Sequence, residues 1–220
     1  MSSEQATARW VGALFLLATL AYGIGSSMIQ ALVGAPDALS QIAANPQPLT
    51  RSALLMLVNC GAVVGIGVLM YPLLKRHNLA IALGYMVTRV MEGLLLSAGV
   101  ISLLSLVGLK ELAQSTEAVP MAVGFNHYAF QTAMLVLGFG SLFFCFLLYQ
   151  TSLIPRPLAL LGLVGYTALL VGAGLEILGL STGMLHFVPG GLFELFLPLW
   201  LFVHGFGAPA LKLGRTVAKL

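Results

Sequence analysis

"YMVTRVMEGLLL", residues 85 to 96, sets Arg89 and Glu92 three positions apart inside an otherwise apolar run. A charge at the centre of a bilayer costs from about 3 to about 17 kcal/mol depending on the method. A stretch that carries two charges therefore either lies in water or turns them into the interior of a helical bundle. Composition decides for the bundle: 59% of the 220 residues are hydrophobic, 8% are charged, and the mean hydropathy is +1.01. Those values belong to an integral membrane protein.

Outward from Arg89, the apolar runs are long and continuous, without the period-2 alternation of barrel strands. They predict an all-α fold, a polytopic bundle of six transmembrane helices over approximately 8–34, 52–75, 79–107, 120–150, 156–180 and 188–207. Connections are short, so residues 1–220 read as a single domain. The first run is too long for a signal-peptide core and reads as an anchor. The longest connection, "APDALSQIAANPQPLT" at 35–50, holds an amphipathic turn or two suited to the membrane surface.

Basic residues set the orientation. Arg9, Lys75, Arg76, Arg156, Lys212, Arg215 and Lys219 fall on one side and Arg51 and Lys110 on the other, seven against two. Both termini are expected in the cytoplasm. The same scatter of charge gives a nucleic-acid partner no dense basic patch to bind. Cys60 and Cys145 are expected at different depths and unable to form a disulfide. No CxxC, HExxH or CxxCH signature occurs. Trp10, Tyr71, Tyr149 and Trp200 lie near helix ends, as interfacial anchors do.

"RWVGALFLLATLAYGIG", "MYPLLKRHNLAIALGYMVTRVMEGLLL", "SLIPRPLALLGLVG" and "ELFLPLWLFVHGF" together resemble a bacterial family of small six-helix inner-membrane proteins catalogued only as a domain of unknown function. The resemblance covers nearly the whole chain. It implies the six-helix topology and places Arg89, Glu92 and Glu194 in recurring motifs, and it brings no activity, cofactor or substrate.

The residues themselves suggest a polar layer. At 1.5 Å of rise per residue, Glu92 is expected about 20 Å from the inner boundary, with Asn59 and His127 at about the same level, entering from the outside. Glu194 lands close by and Glu176 somewhat shallower. Tyr85, Arg89, Glu92, Leu96 and Gly99 share one face of the third helix; His127, Gln131, Met134, Gly138 and Ser141 form a stripe on the fourth. Gly61 and Gly65 form a GxxxG pair, and Gly162, Gly165, Gly172 and Glu176 cluster on the fifth, which by itself signals close helix packing. His77 and His186 are expected in solvated loops.

Within that layer Arg89 faces three carboxylates, Glu92, Glu176 and Glu194, so protons, an ion or a bound molecule must settle the balance. The candidate ligand-binding set is Arg89, Glu92, His127, Gln131, Glu194, Asn59 and Glu176. Each member also has a purely structural reading: a register-fixing clamp for Arg89 and Glu92, a headgroup contact for Glu176, a helix-start preference for Glu194, an interhelical hydrogen bond for His127.

Three functions fit: a bundle that binds a small polar-headed or lipid-like ligand, an accessory subunit of a larger membrane complex, or a hydrolase using two glutamates and a histidine to hold zinc. An axial-histidine haem or chlorophyll site at His127 or His204 is a weaker variant. Partners are then the bilayer, a small-molecule or lipid ligand, and another membrane protein or a second copy. The cofactor and any catalytic residue are left undetermined.

Overall fold

The computed structural model describes residues 3–108 and 117–207. Lys110, Lys212, Arg215 and Lys219, which entered the charge asymmetry, lie outside the described residues. The described chain is helical: α1 (Ser3–Val33), α2 (Ala38–Ala44), α3 (Gln47–Leu74), α4 (Leu79–Gly108), α5 (Ala118–Thr151), α6 (Arg156–Ile177), a 3-10 turn (Leu185–Phe187) and α7 (Val188–Val203). Six spans are long and apolar enough to cross a membrane, the sixth joining the 3-10 turn to α7 as Leu185–Val203.

The punctuation follows backbone chemistry. Pro48, Pro157 and Pro189 occupy first-turn positions of α3, α6 and α7, where a missing N–H costs nothing. Gly179, at φ +78°, closes α6, and Gly205, at φ +75°, follows α7; both are left-handed positions that suit glycine. The second long helix starts at Gln47 rather than near residue 52, because Pro46 and Pro48 initiate it instead of holding it extended. Cys60 consequently sits mid-helix, not near one end, and both cysteines are free and buried. The fifth span stops at Ile177, short of 180, where Gly179 turns the chain. The amphipathic turns of the 35–50 connection form α2, whose Ala38 and Ile42 are buried as it packs on α1, α3 and α4.

The six long helices close a ring in chain order. α1 packs on α3, α3 on α4, α4 on α5, α5 on α6, α6 on α7, and α7 returns to α1. In lipid, such contacts rest on close packing more than on the hydrophobic effect, so small residues mark them. A Cβ on Gly67 would stand 2.8 Å from Cβ of Arg89, and one on Gly165 would stand 2.6 Å from the Gly190 backbone. Gly61 is different: it is exposed with no described atom within 4 Å of a Cβ, so the expected GxxxG pair is not a helix seam. α3 instead meets α4 through Gly67 and Gly93.

One end of the ring gathers basic and aromatic side chains. Lys75 lies over Tyr71 and Arg156 over Tyr149, while Trp200 stacks on His204. Arg76 pairs with Glu4 across the start of α1. Among the described residues, Arg9, Lys75, Arg76 and Arg156 belong to this end and Arg51 to the other.

Candidate functional site

α1 and α7 differ in length, 31 against 16 residues, and this difference shapes the interior. A Cβ on Gly12 of α1 would lie 3.3 Å from the Pro198 carbonyl of α7, and Gly205 approaches Ala8 and Gln5, so the two run antiparallel. Counting ten residues back from Pro198 brings α7 to its start at Val188, opposite Tyr22. The remaining stretch of α1, Gly23 to Val33, rises about 16 Å beyond α7. Beside it lies a cavity of about 730 Å³ that reaches down to Phe15 and Arg89.

All seven candidate residues line this cavity. In its deep part, Arg89 Nη1 donates to Glu92 Oε2 at 2.9 Å and Nε donates to the Tyr85 hydroxyl at 2.9 Å. The guanidinium carbon lies 5.2 Å from the ring centroids of both Phe15 and Tyr85. Tyr85 in turn stacks on Phe144 with centroids 4.1 Å apart. Arg89 is 2% exposed, yet its Nη2 has no hydrogen-bond partner among the described residues.

Glu194 joins the same level. It accepts a 3.0 Å hydrogen bond from Tyr166, a fully buried side chain of α6, and it is near enough to Arg89 to interact with it electrostatically. Asn59 is buried near Gly93, whose Cβ position abuts the Cys60 carbonyl, so Asn59 shares the depth of Glu92 as its spacing predicts. Gln131 is buried on α5 with Oε1 unpartnered among the described residues.

Nearer the mouth the sequence expectations need correcting. His127 is exposed and lies beyond the layer: Asn126 abuts Gly99, about seven residues or 10 Å along α4 from Glu92. Glu176 is half-buried and holds the loop after α6, accepting from the Thr182 amide at 2.6 Å and its hydroxyl at 3.1 Å. His186, expected in solvent, is buried: its ring packs against Gly172, Nδ1 is 2.7 Å from Thr182 Oγ1, and Nε2 is unpartnered among the described residues. The 3-10 turn and the missing side chain of Gly172 draw it inward.

Several lining residues went unremarked in the sequence. Tyr22 stacks on Phe130 at 5.3 Å and Phe130 approaches Phe187 at 5.8 Å, an aromatic bridge across the ring at the level where α7 begins. Thr19, Gly23, Ser26 and Gln30 form a small polar stripe on α1 at helical spacing, a legible signal. The Tyr166–Glu194 contact joins residues 28 apart and had no local signal.

The zinc reading needs three ligands together. Among the described residues no group of three His, Cys, Asp or Glu side chains stands close enough to hold a metal ion. His127 is at the mouth and His204 at the far end, stacked on Trp200 with centroids 3.9 Å apart.

Compared with known proteins, residues 10–205 match the family model described as "Domain of unknown function (DUF4386)". Neither the curated proteins nor the solved structures contain a match.

Proposed function

Because the chain belongs to the DUF4386 family, which carries no assigned activity, we propose from the geometry alone that it is a membrane-embedded binding protein for a small molecule or lipid. The observation that carries this reading is the cavity of about 730 Å³ bearing all seven candidate residues, within the range of about 300–1,000 Å³ common to ligand pockets. Arg89, Glu92, Glu194, Gln131 and Asn59 form its polar interior; His127 and Glu176 stand near the mouth. Apolar side chains such as Ile29, Val33, Leu103 and Met184 line the rest.

A polar head in the deep part satisfies groups that protein atoms leave open. Arg89 Nη2 and Gln131 Oε1 are buried without partners among the described residues, and an unmade buried hydrogen bond costs about 1–3 kcal/mol. A ligand that completes them gains that amount in addition to its apolar contacts.

In the same reading the basic end faces the cytoplasm of a bacterial inner membrane and the cavity mouth faces outward, since Arg9, Lys75, Arg76 and Arg156 oppose Arg51.

Native mass spectrometry of protein extracted gently from membranes tests the binding role. A retained small molecule is the expected result. A bare polypeptide contradicts it, and a bare polypeptide held stably by another membrane protein points to the accessory-subunit role.

A further inference from the structure

We propose that the occupant is a single-chain amphiphile with one positive charge on its head, its ammonium group held at Glu194 and its chain running up beside α1 to the surrounding lipid. This rests on the binding role above and adds the sign of the head and the route of access.

Charge gives the sign. The deep part of the cavity contains one cation, Arg89, against Glu92 and Glu194. Arg89 pairs directly with Glu92 at 2.9 Å, and Glu194, within electrostatic range of the same guanidinium, has one hydrogen-bond donor among the described residues, the neutral Tyr166 hydroxyl. Glu176 adds no charge at depth, since it stands near the mouth with Oε1 accepting from Thr182. A buried carboxylate needs compensation by charge as well as by hydrogen bonds. With Glu92 and Glu194 both ionised, a cationic head brings the interior to neutrality, whereas an anionic head would satisfy Arg89 Nη2 and deepen the negative excess.

Hydrogen-bond capacity points the same way. The Glu194 carboxylate is an acceptor, and an ammonium supplies three donors and no acceptor. Arg89 Nη2 is then left for a neutral oxygen on the same head.

The chain follows from shape. Along α4 the lining runs from Arg89 to Leu103, about 21 Å of helix rise. Above Tyr22, α1 has outrun α7, and the stripe of α1 that lines the cavity includes Gly23, which is exposed with no described atom within 4 Å of a Cβ position. The α1 edge of the cavity is thus open at the level of the apolar spans, and an acyl or alkyl chain emerging there meets lipid.

The test compares three probes of equal length, dodecylamine, dodecanoic acid and dodecanol, added to the purified full chain at constant maltoside detergent, with the unfolding temperature read by intrinsic fluorescence. A ligand that binds the folded state raises that temperature in a saturable way. Dodecylamine should do so with an apparent affinity at least tenfold above dodecanoic acid and dodecanol, and Glu194→Gln should erase that tenfold preference. Gly23→Trp, placed where there is space, should block dodecylamine while the protein still folds, and it serves if Glu194→Gln does not. Equal or tighter binding of dodecanoic acid or dodecanol overturns the cationic head and leaves the binding role standing. No saturable response to any probe overturns both. Undiminished dodecylamine binding in Gly23→Trp overturns the route along α1.

Discussion

Removing either half of the buried Arg89–Glu92 pair should destabilise the protein, and the two losses should be unequal. The pair is 2% and 4% exposed, with Nη1 and Oε2 at 2.9 Å. Breaking such a pair by deleting one partner costs about 3–5 kcal/mol, because the survivor keeps its desolvation penalty. Arg89→Gln leaves two carboxylates, Glu92 and Glu194, without a cation, and it also gives up the Tyr85 hydrogen bond and the contacts with Phe15 and Tyr85. Its loss belongs at the upper end, ~5 kcal/mol, or about three to four powers of ten in the unfolding equilibrium. Glu92→Gln leaves Arg89 with Glu194 still in range, so its loss should be smaller, ~2–3 kcal/mol. The double variant Arg89→Leu/Glu92→Leu should recover part of the difference only, since the apolar pair pays no desolvation penalty but Glu194 stays buried without its cation. Reversible unfolding in mixed micelles by denaturing detergent measures all four proteins. Losses below ~1 kcal/mol in both single variants would mean the pair is hydrated like a surface bridge, and equal large losses would mean Glu194 does not stand in for Glu92.

Other consequences separate packing from chemistry. Gly165→Ala should lower stability by about 1–3 kcal/mol, because the new methyl meets the Gly190 backbone at 2.6 Å, while Gly61→Ala should be neutral or stabilising by up to about 1 kcal/mol of helix propensity; thermal unfolding of the two side by side checks this. Glu176→Gln with Thr182→Ala should release the loop after α6, which hydrogen exchange would record as faster labelling across residues 178–187 with little change in the deep part of α4. A cysteine at Thr182 should react with a membrane-impermeant maleimide in intact cells and one at His77 should not, in a background lacking Cys60 and Cys145; the reverse pattern would invert the orientation.

The helices were legible because lipid imposes length and apolar continuity on a span, and the ends that moved did so for local reasons. Pro46 and Pro48 start α3 early, and Gly179 ends α6 early. The deep residues were legible for a related reason: a charge inside an apolar run announces itself, and one helix periodicity places Tyr85, Arg89 and Glu92 on one face, all buried. What linear spacing misjudged was relative depth across helices. Linear spacing puts His127 level with Glu92, whereas α4 runs on to Gly108, sixteen residues past Glu92, and His127 lies only nine residues into α5. His186 reads as solvated in a loop because nothing local signals that Gly172 leaves room for its ring. The cavity itself rests on α7 being half the length of α1, a comparison between helices that no single stretch reveals.

A density map of the protein purified in its native lipids tests the central claim most directly. The account predicts elongated non-protein density beginning beside Arg89 and Glu194 and leaving past Gly23. Side chains of α1, α5 and α7 closed over Arg89, with no such density and no space to hold it, would contradict it.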